Sequence, residues 1–587
     1  MTTTHEAATG DFHQFLDRDW AYWTAQFPEW ATVIGERGHN DRWTDASPEA
    51  IAGRAAHVRE SARQLARIDR AALSDADRLN LDLYRDLVDT AVQGLAFHLD
   101  PFPIRSVVPR MPLSAVNQLE GVPQDVPMVL SLMPAESVAD YEDMLARLRA
   151  VPALVEQTIA QLAHGVALGL TPPAMAIRGV PAQVAAQLVE DPHASPMLEP
   201  FARFPSSVAP TDRDRVRADA ARVFVDYVRP SFARLHAYLV DTYLPACRTT
   251  TGISSVPDGE ALYAYLVRWH TTTPLSPKEI HEIGLEQVRR IRSEMADVQK
   301  RAGFTGSFED FAAYLRTEPS FYFRDAASLL TAYRDICKRA DPMLARFFGR
   351  LPRTPYGVLP VPDASAPSQT TAYYQPGSLV AGRAGNFYAN TYNLPARPSW
   401  EMEALTLHEA VPGHHLQVAL AQEMDGLPAF RKHASYTAYI EGWALYAERL
   451  GEEMGFYESP YSKFGQLTYE MWRAVRLVVD TGLHAFGWTR DRAIEFFAAN
   501  TPKTPDDIAV EVDRYMIWPG QALGYKVGEI RICALRAKAE ARLGARFDLR
   551  AFHDLVLGEG ALPLDVLEGR VQEWIERRRS AEPSGSA

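Results

Sequence analysis

The chain has 587 residues, 47% of them hydrophobic and 23% charged, with a formal net charge of −13. That is the composition of a globular protein, long enough for several cores or for one large two-lobed unit. The acidic balance argues against a nucleic-acid partner, which needs a basic face, and no stretch of about 18 uninterrupted apolar residues offers a membrane span.

Met1 to Gly10 is polar and lacks the apolar centre of a signal peptide, so a cytoplasmic protein is expected. Helical periodicity runs over Ala50 to Ala71 and Ser137 to Gly169. Proline-rich breaks fall at Pro101 to Pro112 and at Pro172-Pro173. A boundary near residue 250 divides an N-terminal helical lobe, 1–250, from a C-terminal catalytic lobe, 251–579, and a disordered tail, 580–587, follows. Ser276-Pro277-Lys278-Glu279 is a capping box that opens a helix running to Gly303. Cys247, Cys337 and Cys533 are far apart, odd in number and without metal-ligand spacing, and read as reduced core thiols. The longest proline-rich break, Leu351 to Pro367, is expected to line a cleft. After it, Phe387 to Tyr392 has a strand-like aromatic composition. As an edge strand it would pair with an extended peptide, with Arg383 and Asn390 lining the cleft; as an ordinary hairpin it would do neither.

The densest chemistry lies in His408-Glu409-Ala410-Val411-Pro412-Gly413-His414-His415. It reads as the zinc-hydrolase motif H-E-x-x-H carrying a two-residue Pro-Gly insertion. On a straight helix six residues turn roughly 600°, leaving His408 and His414 about 120° apart. Pro412 and Gly413 therefore predict a bulge or kink that returns His414 to the side of His408. His415 is the rival second ligand, but it would sit about 10 Å further along a helix axis. Glu441, in the helical stretch Tyr439 to Leu450, is the preferred third ligand over a solvated surface charge. Glu448 shares its face and would reach a neighbouring Arg. Glu409 is the expected general base, drawing a proton from an acidified water.

Two later segments offer further groups. In Arg473 to Trp488, Arg476, Asp480 and His484 share one stripe. Asp480 would orient a ligand imidazole and His484 would serve the oxyanion or the substrate; alternatively the three only satisfy one another in a helical core. In Asp513 to Lys526, Tyr525 would donate to an oxyanion, and Arg514 or Lys526 would grip a substrate carboxylate.

The strings ALTLHEAVPGHHLQ, YIEGWALYAE, RLVVDTGLHAFGW and DRYMIWPGQALGYKVG resemble the bacterial domain-of-unknown-function 885 family over nearly the whole chain. That resemblance implies a mainly α, two-lobed, gluzincin-like metallohydrolase with a small β-sheet or edge strand beside the metal helix. It also implies zinc, expected at one ion per chain, held by His408, His414 and Glu441 with Glu409 as base; on the reading of the residues themselves, His415, Asp480 and Glu448 stand in support. The substrate class is peptide or small amide, with a non-peptide amide or ester hydrolase and a non-catalytic metal-binding protein as alternatives. Manganese or cobalt would suit the same donors, and the oligomeric state is open.

Overall fold

The computed structural model describes residues 2–104, 108–363, 366, 369–379 and 381–580. Parts of two proline-rich breaks, 105–107 and 364, 365 and 367, lie outside the described residues, as do residues 581–587 of the tail expected to be disordered. The chain is mainly helical, as its periodicity predicts, with one small sheet. It divides into two compact units.

The first unit comprises Met1–Gly259 with two short returns, Pro428–His433 and Met516–Trp518. Its helices α1 (Pro48–Ala66), α2 (Asp75–Gly94) and α3 (Val138–Leu168) begin where the sequence supplies caps. Ser47, Ser74 and Ser137 each accept an amide of the first turn, and Gly169 ends α3 at φ 70°, a left-handed angle that favours glycine. Phe430, on the first short return, packs edge-on against Tyr84 of α2, and Arg431 donates to Asn80 at 2.7 Å.

The second unit comprises Glu260–Leu427, Ala434–Tyr515 and Pro519–Ala587. Early in it lies α4 (Pro277–Arg301), whose Ser276–Glu279 capping box forms as the sequence predicts. Then come β1 (Tyr356–Pro360), β2 (Ala372–Gln375) and β3 (Gly385–Ala389), in the order β1-β3-β2. β3 runs parallel to β1 and antiparallel to β2. The strand expected at 387–392 is thus shorter and lies in the middle of the sheet. Its backbone is already paired on both sides, so it offers no edge to a peptide. The edge strand that packs against the helix carrying His408 is β2.

Among the unit's other helices, those that carry or hold the candidate site are α5 (Met402–Glu409), α6 (His414–Glu423), α7 (Thr437–Leu450), α8 (Pro460–Ala485), α9 (Pro505–Ile517) and α10 (Leu523–Leu543). Small residues set two close approaches. A Cβ on Gly284 of α4 would press to 2.8 Å from Leu477 and Val478 of α8. A Cβ on Gly442 of α7 would lie 2.5 Å from the Gly528 backbone of α10, and one on Gly528 would collide with the Ala438 carbonyl. α7 and α10 therefore touch backbone to backbone, which fixes α7 and the acidic residues it carries. All three cysteines are free thiols, and burial pushes each up to about 12. Among the described residues no helix is long and apolar enough to cross a membrane.

Candidate metal centre

Three side chains from three helices of the second unit converge. His408 is the penultimate residue of α5, His414 the first of α6, and Glu441 lies early in α7. Their ligand atoms all fall within 4.8 Å of one another. Glu441 Oε2 stands 3.6 Å from His408 Nε2 and 3.5 Å from His414 Nε2, too far for hydrogen bonds.

The convergence depends on the Pro-Gly pair. A residue before proline is driven out of the helical region, and proline has no amide to continue the ladder. α5 accordingly stops at Glu409, Ala410 turns to φ −98°, ψ −113°, and helix resumes at His414. The insertion is a turn between two helices, where the sequence suggests a kink within one. His414 is thereby released from the angular phase of α5, and the 120° mismatch of a straight helix does not arise. Gly413 is needed for close approach, since a Cβ there would collide with the carbonyl oxygens of Leu407 and His408. Trp443 of α7 donates its indole N–H to the Pro412 carbonyl at 2.8 Å. The helix that brings Glu441 thus also holds the turn.

Glu448, two turns further along α7, accepts the Nδ1–H of His408 at 2.7 Å. This fixes the tautomer and leaves His408 Nε2 facing Glu441. Burial disfavours charge on this imidazole, but Glu441 and Glu448 outweigh it and hold His408 at about 9. Burial likewise opposes ionisation of Glu441, yet the two imidazoles keep its carboxyl well below the usual range. The setting stabilises positive charge at the point where the three groups meet.

A cation fits these residues. Glu441 Oε2 is buried with no hydrogen-bond partner, a costly state for a carboxylate oxygen unless a cation neutralises it. Zinc bonds of about 2.0–2.1 Å in a tetrahedron set ligand atoms roughly 3.3–3.4 Å apart, close to the spacings of 3.5 and 3.6 Å seen here. Two imidazoles and one carboxylate leave a fourth position, the donor set of open rather than structural sites. Glu409, expected as base, is buried at the end of α5 next to His408.

Other expected residues go elsewhere. His415 points to the sheet: its Nε2 donates to the Thr354 carbonyl at 3.1 Å and its Nδ1 accepts from Tyr374 at 3.0 Å. Burial lowers it to about 4, so it is neutral, with both ring nitrogens engaged away from the cluster. Asp480 does not orient a ligand imidazole; it accepts from Tyr263 at 2.6 Å and from the Gly520 amide at 3.1 Å. His484 donates to the Tyr515 carbonyl at 2.9 Å. It follows Arg473, which does reach Glu448, by eleven residues, about 16 Å along α8. The expected Arg476–Asp480–His484 network does not form either, because Arg476 turns to Glu511 and Tyr515, both at 3.0 Å.

Of the expected substrate-binding residues, Lys526 is fully buried between Glu470 at 2.7 Å and Glu529 at 2.5 Å, a structural ion cluster with no face toward a ligand. Asn390 pins a loop, donating to the carbonyls of Ala366, Gln369 and Thr370. Arg383 pairs through its backbone with Ser378. Arg514 is gripped by Glu511 and Gln521, and both Arg514 and Gln521 approach the Tyr525 hydroxyl at 3.4 Å. The Trp443–Pro412 bond and the anchoring of His415 by Tyr374 and Thr354 have no local sequence signature, because each joins residues that only the fold makes neighbours. A separate cavity of about 390 Å³, lined by Arg350, Arg353, Glu423 and Asp554 among others, includes none of the cluster residues.

The chain belongs to the DUF885 family, bacterial proteins of unknown function, whose pattern matches residues 28–571. Its structure is similar to that of a candidate lipoprotein from Colwellia psychrerythraea, with a TM-score of 0.89 and 28% identity over 97% of this chain and 100% of that one. It is also similar in fold to a candidate lipoprotein of unknown function from Shewanella oneidensis, with a TM-score of 0.69 and 16% identity over 95% of this chain and 99% of that one. No protein with curated function matches the chain.

Proposed function

We propose that this member of the family is a metal-dependent hydrolase of peptide or amide bonds in small or unfolded substrates. Its gluzincin-like ligand set is His408, His414 and Glu441, with zinc the favoured cation. The observation that carries the reading is Glu441 Oε2, buried without a hydrogen bond and nearly equidistant from two imidazole nitrogens. A cation bound there supplies a Lewis acid and a water acidified toward neutrality.

The remaining work belongs to side chains. Glu448 holds His408 in the tautomer that presents Nε2. Glu409 takes the proton of the attacking water and returns it to the leaving amine. Tyr525 receives two long contacts on its oxygen, from Arg514 and Gln521. Its own proton is then available to a developing oxyanion.

Elemental analysis of purified protein beside His408→Ala and Glu409→Gln tests the reading. The expected result is about one zinc per chain in the parent and in Glu409→Gln, and loss of metal in His408→Ala. Turnover of a peptide and amide library falls about 10²–10⁴-fold in Glu409→Gln. A parent that binds no metal after reconstitution overturns the proposal. The cytoplasmic location expected from the sequence stands against the lipoprotein description of both structural relatives, and fractionation of the native host decides between them.

A further inference from the structure

Beside the metal cluster, α8 presents two buried guanidinium groups one turn apart, Arg473 and Arg476. Both lie over the Trp472 ring, at 5.5 and 5.3 Å, and over the Tyr525 ring, at 6.0 and 4.3 Å. Two like charges packed on one face of a helix, away from water, call for anionic partners. The resident carboxylates do not meet that need. Arg476 and Arg514 divide a single one, Glu511, between them. Arg473 stands 3.5 Å from Glu448, whose same oxygen already accepts from His408. Arg476 Nη1 and Arg473 Nε are buried and have no hydrogen-bond acceptor. A guanidinium donor left without an acceptor in a dry site is a costly arrangement.

We infer that Arg473 and Arg476, with Trp472 and Tyr525 as their walls, form an anion subsite that takes a carboxylate of the substrate near the scissile bond. Glu448 ties the two places together: its Oε1 accepts from His408 at 2.7 Å and stands 3.5 Å from Arg473. A carboxylate bound to one guanidinium edge is held by charge-assisted hydrogen bonds, the geometry for which arginine is better suited than lysine. The substrate class is then a short peptide or acylated amino acid with a free carboxylate, in preference to its amide or ester. This inference rests on the hydrolase reading for the word substrate, but the anion subsite itself does not require turnover.

The test uses N-acetyl-alanyl-alanine and its C-terminal amide as probes. Binding of each is measured by calorimetry on metal-loaded and on chelator-treated full-length protein, for the parent, Arg476→Gln and Arg476→Lys. Metal content and the far-ultraviolet circular dichroism spectrum of each variant establish that it is folded. The parent is expected to bind the acid about tenfold or more tighter than the amide. Arg476→Gln abolishes that preference while metal content is unchanged, and Arg476→Lys, which keeps the charge but not the fork, retains part of it. A preference that persists in protein without metal or turnover upholds the subsite while the hydrolase reading falls. Equal binding of acid and amide by the parent, no binding of the acid at millimolar concentration, or an undiminished preference in Arg476→Gln overturns the subsite, even where peptide hydrolysis is found.

Discussion

Glu448 joins the candidate metal centre of α5 and α7 to the buried arginines of α8. Its side chain is buried, accepts from His408 Nδ1 at 2.7 Å and lies 3.5 Å from Arg473. The backbone at this point is held separately, since Tyr457 donates to the Glu448 carbonyl at 2.7 Å, so a substitution acts mainly through the side chain. Loss of a carboxylate that orients a ligand histidine costs about 10–100-fold in metal affinity, equivalent to about 1.4–2.7 kcal/mol. Glu448→Gln keeps the shape and one acceptor and is expected at the low end, near tenfold. Glu448→Ala is expected at the high end. It also leaves Arg473 buried without its counter-ion, a loss of about 3–5 kcal/mol in the stability of the metal-free protein. Competition with a chromogenic chelator measures the first effect, and urea denaturation of chelator-treated protein the second. Metal affinity unchanged in both variants would remove Glu448 from the site, and equal stabilities for Gln and Ala would refute the buried pair with Arg473.

Four further outcomes follow from the geometry. His414→Ala loses the metal, whereas His415→Phe keeps about one equivalent and loses stability instead, because His415 serves Thr354 and Tyr374; the reverse result would make His415 the ligand. Gly442→Ala forces a Cβ against the Gly528 backbone and is expected to cost about 1–3 kcal/mol in chemical denaturation, with weakened metal binding because Glu441 adjoins it. Lys526→Met leaves Glu470 with Arg290 alone and Glu529 with only Arg449 at 3.8 Å, and is expected to cost about 3 kcal/mol, while KM in any later assay stays unchanged, since this lysine faces no ligand. Asp480 supplies a pH signature. Burial, opposed by its bonds to Tyr263 and Gly520, raises it to about 7. The folded protein thus keeps a proton that the unfolded chain releases near pH 4, so the stability from this group falls between about pH 4 and 7 and levels off above. The span is on the order of 4 kcal/mol, and Asp480→Asn should flatten it relative to the parent; parallel pH profiles for the two would contradict the assignment.

Much of the fold was legible because its signals are local. Ser137, Ser276 and Gly169 mark helix ends by chemistry that acts within one turn, and those ends occur where the sequence places them. The candidate ligands were also readable, since His408, His414 and Glu441 stand in short motifs. What failed was partnership across the fold. Asp480 and Glu448 are both acids on apolar helices facing inward, and nothing in a helical stripe says which of them meets an imidazole. The choice falls to Glu448 because α7 carries it two turns beyond Glu441, whereas Asp480 lies at the far end of α8. Lys526 and Asn390 misled for a related reason. Polar residues in a conspicuous segment read as ligand-binding, yet Lys526 is neutralised by two glutamates and Asn390 is saturated by loop carbonyls. The strand at 387–392 was displaced inward because a three-stranded sheet makes one strand central, and composition does not reveal sheet order.

The Pro-Gly insertion changes what must be kept rigid for the site to exist. In an unbroken H-E-x-x-H helix the backbone ladder itself sets the distance between the two histidines. Here the ladder is cut between Glu409 and His414, so their relative position is set from outside, by α7. That helix supplies Glu441 to both imidazoles, Glu448 to His408 and Trp443 to the turn between them. α7 is in turn located by its glycine contact with α10. Substitutions at the α7–α10 crossing should therefore weaken metal binding as strongly as substitutions beside the ligands, although none of the glycines touches a ligand atom. A series of Ala and Ser substitutions at Gly442 and Gly528, read by chelator competition at a temperature where each variant stays folded, measures this directly. Metal affinity that tracks distance from the ligands, and not contact with the crossing, would mean that the turn holds its own geometry without α7.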